Sequence, residues 1–583
     1  MSKDYVIGLN LSCSWLWGVL HSNSTLFSLR NLQWLNLAGN NFIDSQISSR
    51  FGILTGLAHL NLSGSSLSGI IPLEMISHHL SSRISLDLAG NFGLTVEEDR
   101  NFRSVFNLSR IVVDFEMFAK LKNLEHLWLV RNLNLMLPNS GNCSFPRLKE
   151  LTLLGVNLTS TFPYFLRSSP ELEVLDLSGN MISGPIPECG DIPHQLCNAT
   201  RLEVVNLSNN SLTGSIPHCF INLSASVLDL GANKLVGQIP EIFFSRNNLK
   251  MIQLSQNRLE GTLPRSLANC KNLEVLDLSE NELEGRFLYW LDTLPNLQVL
   301  NLRSNKLRGL INSSRKNNHP FPKLHIFDLS NNSFYGHLPT EYIANFIAMK
   351  NESRSASQYM WVNDTRATYQ DSVTVVMKGL ATELVRILTV FTSIDFSRNF
   401  FEGQIPESIG DLKALKGFNV SHNNLTGSIP SSVGNLTNLE WLDLSSNKLD
   451  GKIPGGLADL TSLAWLNLSD NQLEGLIPQS RQFDTFNHPF DGNPRLYGEE
   501  KAQFEHWIEW RAVAMGYGCG ISFGISAGYI MLETRRPKWL VRKVERWLVR
   551  TVERKRRRKT NKPKKNAAQR NHMRYLFMTD FKH

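Results

Sequence analysis

The chain has 583 residues, 42% of them hydrophobic, a net charge of +8 and seven cysteines. The charge is local: residues 533–583 hold 19 Lys/Arg against 4 Asp/Glu, and residues 1–532 hold 41 against 48. This excludes a basic nucleic-acid-binding domain, and the absence of CxxC or Cys/His spacing excludes a zinc framework.

The chain opens as MSKDYVIGLNLS, without the apolar core of roughly 7–15 residues that a secretory signal carries. A repeat begins almost at once. LEWLDLSSNKLDGKIP (439–454) and LAWLNLSDNQLEGLIP (463–478) share the frame LxxLxLxxNxLxGxIP. Its asparagines recur 24 residues apart at 233, 257, 281 and 305, and again at 423, 447 and 471. Further copies carry Asn40, Asn91, Asn132, Asn180, Asn210, Asn332 and Asn399, with degenerate ones through Ser14, Ser65 and Val156, giving about 17 units. The pattern is irregular near 92–120 and 187–200.

Each unit predicts a short strand. LxL points its leucines inward and the residues between them outward. One coil buries too little apolar surface to stand alone, so coils must stack into a solenoid with a continuous leucine column. The asparagine amide can satisfy backbone groups where the chain leaves the strand. GxIP sets a turn and a second extended segment on the other flank. The expected fold is a leucine-rich solenoid with short parallel strands lining a concave face.

Outward positions on that face are candidates for binding. Trp34, Trp441 and Trp465 precede the first leucine of LxL, and Trp128 lies between the two. Exposed aromatics there can anchor a partner, or stack on neighbouring side chains as an ordinary ladder. Asp176, Asp229, Asp277, Asp328, Asp395 and Asp443 share one repeat position, which reads as consensus and not as a catalytic pair. No Ser/His or Cys/His frame supports catalysis, and no cofactor or metal site is expected. Cys197 and Cys219 occupy nearly equivalent places in adjacent repeats. A disulfide between them and two free thiols are equal alternatives, while the other cysteines are expected as buried thiols. The 18 Asn-x-Ser/Thr sequons all precede residue 468. Some follow from LNLS; Asn23, Asn142, Asn312, Asn351 and Asn363 do not, and are candidate glycosylation sites on a secreted array.

The repeats break at 340–387 and resume for four units at 388–478, followed by RQFDTFNHPFDGNPRLYG within 479–498. Residues 499–511 are an acidic stretch. Residues 512–532 are 21 residues without a charge, about 31 Å as a helix, and RRPK follows at 535–538. Such a segment predicts one membrane span with a basic cytoplasmic tail over 533–583. Gly516, Gly520, Gly524 and Gly528 form overlapping GxxxG units, a surface on which a second membrane helix can approach closely. Leu540, Val544, Trp547, Leu548 and Val552 recur at helical spacing among arginines, which suggests contact with anionic lipid. The tail is too short for a kinase domain and lacks its motifs.

The repeat, the position of its interruption and the sequence after it resemble the plant-specific leucine-rich-repeat receptor-like proteins, kinase-less relatives of receptor kinases. The resemblance covers nearly 480 residues. It implies leucine-rich repeats over 1–339, an island over 340–387, four repeats over 388–478 and a C-terminal cap over 479–498, with Tyr497 where the family carries a cysteine. It implies a plasma-membrane, single-pass protein with its N-terminus outside. An extracellular peptide, protein or glycan would be the ligand, and an adaptor receptor kinase would pack on the glycine stripe. A co-receptor kinase would dock on the post-island repeats, at concave positions including Ser397, Ser421, Trp441, Asp443, Trp465 and Asn467. Signalling in defence or development is the expected role. A non-signalling binder, such as an inhibitor of a microbial wall-degrading enzyme, is the alternative. The family's signal and N-terminal cap do not precede Met1, so a truncated gene model or a degenerate copy is the expectation for the start.

Overall fold

The computed structural model describes residues 5–43, 45–71, 84–88, 91, 93–96, 112–114, 118, 123–130, 134–136, 144–163, 166, 169–187, 201–218, 225–241, 243, 247–312, 319–351 and 372–497. The chain divides into two units, Met1–Gly498 and Glu499–His583, and the second lies outside the described residues. So do the predicted span at 512–532, its glycines Gly516, Gly520, Gly524 and Gly528, and the basic tail. Among the described residues no helix is long and apolar enough to cross a membrane.

In the first unit, seventeen short strands among the described residues form one parallel sheet, from Gly8–Asn10 to Trp465–Asn467. The register repeats the sequence frame: Val275 lies opposite Val299, Leu276 opposite Leu300 and Asp277 opposite Asn301. From Leu35 to Leu466 the central residue of each trio is buried, completely so at Leu276, Leu300 and Leu442. A second parallel sheet of eight strands, Val236–Gln238 to Lys448–Asp450, runs along the opposite flank. Glycines such as Gly261 and Gly427, at φ near +77°, stand at or next to the ends of its strands, in a region of backbone space that side chains avoid.

Asparagine joins the coils. Asn423 Nδ2 donates to the carbonyls of Phe396 (3.0 Å), Val420 (3.0 Å) and Ser421 (3.2 Å), and its Oδ1 accepts from the Phe401 amide at 2.9 Å. One side chain thus satisfies backbone groups of two successive coils, as buried turns require. Asn493, inside the cap, repeats the pattern against Leu468 and Leu473. Around it Phe483, Phe486 and Phe490 cluster, and Arg495–Tyr497 pairs with Glu474–Leu476. The cap is therefore one further coil whose core is aromatic.

Within the interruption, Thr340–Ile343 and Ile347–Lys350 form two short helices. Val373–Met377 and Leu380–Leu384 form an antiparallel hairpin. The long sheet passes the interruption without a gap: Ile326–Asp328 pairs directly with Ser393–Asp395.

Candidate ligand-binding groove

The outward face of the long sheet is not uniformly polar. At the position preceding the first strand leucine or its equivalent stand Val174, Val204, Val227, Met251, Val275, Val299 and Ile326, and all are buried. Such a stripe needs a cover. Val373 and Val375 of the hairpin, with Ile387, pack with it as a second apolar cluster. The Asn301 amide donates to the Thr374 carbonyl at 3.2 Å, which ties hairpin to sheet. After the interruption the same position changes character, to Ser393, Gly417, Trp441 and Trp465.

Gly417 explains the placement of Trp441. A Cβ at 417 would lie 1.8 Å from Trp441 Cζ2, so the indole lies flat over the glycine. Its other neighbour is Phe391, stacked at 5.7 Å. Trp441 is only 4% exposed, which corrects the expectation of an open aromatic anchor there. Trp34 stacks on His59 and Trp128 on His126, each at 5.5 Å. Both are half-buried rungs of a ladder, and neither lies in the groove described next.

Beside the hairpin the sheet holds an open groove of about 550 Å³. Five of the predicted residues, Ser397, Ser421, Asp443, Trp465 and Asn467, line it together. Val376, Gly379 and Ala381 of the hairpin form one wall. Three lining residues are basic, and sequence reasoning missed them: Arg303, Arg398 and His422. Arg398 and His422 each stand one residue before a ladder asparagine, at φ +53° and +52°. A basic residue at that repeat position was the available signal. A smaller groove of about 280 Å³ on the hairpin's other side is lined by Asp229, Gln253, Glu383 and neighbouring amides.

The aspartates of the shared position serve the fold. Oδ1 of Asp277, Asp328, Asp395 and Asp443 each accepts the amide of the serine two residues on, at 2.9–3.0 Å. Where asparagine is the next rung it donates sideways, Asn301 to Asp277 at 3.1 Å and Asn419 to Asp395 at 3.0 Å. At the interruption this alternation breaks, and Asp328 faces Asp395 directly. Burial raises both carboxyls, and the Asp328 charge raises Asp395 further. Burial also raises Asp443, while its bonds to Ser445 pull the other way. Among the described residues no group of His, Cys, Asp and Glu could hold a metal.

Asn23, Asn312 and Asn351 are exposed, as glycosylation requires; Asn142 and Asn363 lie outside the described residues, as do Cys197 and Cys219. Cys270 is buried, and burial lifts its thiol to about 11. Cys13 is exposed, against the expectation of a buried thiol.

A family pattern described as Leucine rich repeat matches residues 224–283, 390–449 and 413–473, and a second of that description matches 171–191 and 201–223. Receptor-like protein 53 of Arabidopsis thaliana is 53% identical over 253 residues, 39% of this chain and 26% of that protein. The chain carries leucine-rich repeats and is similar to plant receptor-like proteins. Receptor-like protein 52 of the same plant is 53% identical over 248 residues, covering 39% and 30% of the two chains. The matched part thus spans under a third of these curated relatives' length. Among solved structures, the ectodomain of the Arabidopsis receptor kinase HAESA, in complex with an N-terminally extended IDA peptide hormone, is 27% identical with a TM-score of 0.59, over 83% of this chain and 69% of that one. HAESA with IDA and the co-receptor SERK1 gives 26% and 0.55, over 85% and 83%.

Proposed function

We propose that this chain is a cell-surface receptor-like protein that binds an extracellular peptide on its strand face and signals through recruited receptor kinases. The observation that carries the reading is the groove. It is open, polar on its floor, walled by the docked hairpin, and lined by residues from coils on both sides of the interruption. Interfaces of this kind combine a shaped site with a few oriented polar groups. The likeness to solved repeat ectodomains that hold a peptide hormone, and in one case a co-receptor, supports a peptide ligand and a kinase partner. The uncharged segment 512–532 and its glycine stripe supply the anchor and the adaptor-kinase surface in this reading, and the basic tail meets anionic lipid.

Two readouts on the full-length chain test it. Treatment with an N-glycosidase, followed with an antibody to the tail, should shift the protein by many kilodaltons, because exposed sequons such as Asn312 and Asn351 would then have met the secretory lumen. Co-precipitation of a receptor kinase should depend on Gly520 and Gly524 and fall when both are replaced by leucine. A chain that never shifts and brings down no kinase would overturn the reading.

A further inference from the structure

The second, eight-stranded sheet carries a row of exposed apolar residues. Burial alternates along Ser333–His337 and Phe400–Gly403, which turns Phe334 and Phe401 inward and Tyr335 and Phe400 outward. Tyr335 and Phe400 are directly paired across the two strands and stand 51% and 55% exposed. Leu310, 48% exposed, extends the row by one coil, with its side chain lying over Gly336. Among the described residues neither ring has an aromatic partner. Large apolar groups set side by side in water mark a surface made to be covered. On the next coil Asn424 and Thr426 face outward and Leu425 inward. Asn424 is directly opposite Glu402, so it stands one strand over and two residues along from Phe400, a diagonal of roughly 7–8 Å in a sheet. Asn424-Leu425-Thr426 is one of the 18 sequons. The repeat does not force it, since Arg258, Glu282, Lys306 and Lys448 hold the place of Asn424 in other coils. Among the described residues its amide makes no hydrogen bond, whereas that of Asn419 is buried and donates to Asp395.

We propose that Asn424 carries an N-linked glycan whose first sugars lie along Phe400 and Tyr335, so that the chain covers this apolar row with its own carbohydrate. The proposal rests on the secretory placement of the repeats in the reading above. Transfer joins Asn424 Nδ2 to the anomeric carbon of an oligosaccharide carried on a lipid diphosphate. The bond from that carbon to the diphosphate breaks, the lipid diphosphate leaves with the electron pair, and one Nδ2 proton is lost to base. The asparagine, with its hydroxyl residue two places on, meets the acceptor rule. The platform follows from chemistry. One face of an N-acetylglucosamine ring presents C–H groups, which the negative face of an aromatic ring attracts. Tyr335 and Phe400 sit on adjacent strands, roughly 4.8 Å apart, so successive sugars meet successive rings. Glu402, opposite Asn424, can accept a hydrogen bond from a sugar amide or hydroxyl. A carbohydrate on this face also keeps a second sheet from packing on it.

Two measurements on the full-length chain expressed in plant cells test it. Release of glycans by a peptide N-glycosidase in heavy-oxygen water turns each carrier asparagine into a labelled aspartate, and peptide fragmentation should find the label at Asn424. Label at other sequons but not at Asn424 overturns the site alone; label nowhere in the chain overturns the receptor reading and the site with it. Hydroxyl-radical footprinting then reads the row. Oxidation of Tyr335 and Phe400 should rise at least threefold in Asn424→Gln. Thr426→Ala breaks the sequon, keeps Asn424 and should give the same rise, so a fold defect peculiar to one variant cannot imitate the result. Tyr289, 50% exposed on a short helix of another coil, should oxidise equally in all three proteins. Equal rates at Tyr335 and Phe400 with and without the sequon overturn the platform. Equally fast rates leave the row open to another protein, and equally slow ones mean that another segment covers it.

Discussion

Asp328 and Asp395 show how a single position can oppose the repeat that contains it. From Asp176 to Asp443 the other aspartates are separated by an amide side chain, as Asn419, which donates to Asp395, separates it from Asp443. Asp328 Oδ2 is buried without a hydrogen-bond partner among the described residues. A buried acceptor left unpaired costs about 1–3 kcal/mol. Both carboxyls are raised in the fold, so the native state holds protons that the unfolded chain gives up near its ordinary value of about 4. Stability here is full in acid and falls as pH rises through the raised values. Asp395→Asn should remove the Asp395 share of that slope, and its amide would meet Asp328 as Asn301 meets Asp277. Amide exchange at Phe327 and Ile394 should slow by roughly tenfold at pH 8, for about 1.4 kcal/mol, with a smaller gain at pH 5. An equal effect at both pH values would reject the mechanism. Gly417 makes the opposite point, since its value lies in having no side chain. Gly417→Val must expel Trp441 from its place against Phe391. Tryptophan emission should shift to longer wavelength, whereas Ala464→Val, at an exposed site outside the ladder, should leave it in place.

The hairpin is the element that converts a repeat array into a shaped site. Burying a valine stabilises by about 1.5–3 kcal/mol, and Val373 and Val375 are both buried with the stripe. Val375→Asp should release the hairpin and expose 372–387 to limited proteolysis, while the repeats after 393 stay resistant. Persistent protection of the hairpin in that variant would show that the stripe is not what holds it. The same element marks where sequence reasoning stopped. LxL, the ladder asparagine and GxIP act within one coil or between neighbours, so the frame foretold the two sheets and Asn423's role. The interruption was visible at 340–387, but the docking of its hairpin ties Thr374 to Asn301 across 73 residues. No local spacing encodes such a contact. The signal was indirect: seven apolar residues at an outward position required something to cover them. For Trp441 the sequence left an open anchor and a stacked rung as alternatives, and Gly417 beneath it and Phe391 above decide for stacking. Arg303, Arg398 and His422 escaped because they sit outside the strand trio, and the groove they share exists only after the sheet closes over the interruption.

At the scale of the whole array, each coil contacts its neighbours and little else, so stability is a sum of nearest-neighbour terms that falls towards an uncovered end. The two ends of the described array differ. Beyond Trp465–Asn467, Asn493 and the Phe483, Phe486 and Phe490 cluster continue both the hydrogen-bond ladder and the core. Around Gly8–Asn10, Trp15 is 92% and Trp17 86% exposed, and Tyr5 and Ile7 are exposed as well. Central coils also carry a second load, since the hairpin covers their outward face and must leave before they open. Hydrogen exchange by mass spectrometry should therefore give a gradient. Protection should be greatest through the central strands 251–328 and remain high at 441–468. Phe483→Asp should remove the aromatic closure and lower protection at 465–476 by at least tenfold, with an effect that fades over the preceding two or three coils. If protection falls equally across all strands in that variant, the array opens as one cooperative block and the nearest-neighbour account is wrong. If the fall stays local, the coils before the interruption are insulated from fraying at the last coil, while the groove, which Trp465 and Asn467 help to line, loosens on that side.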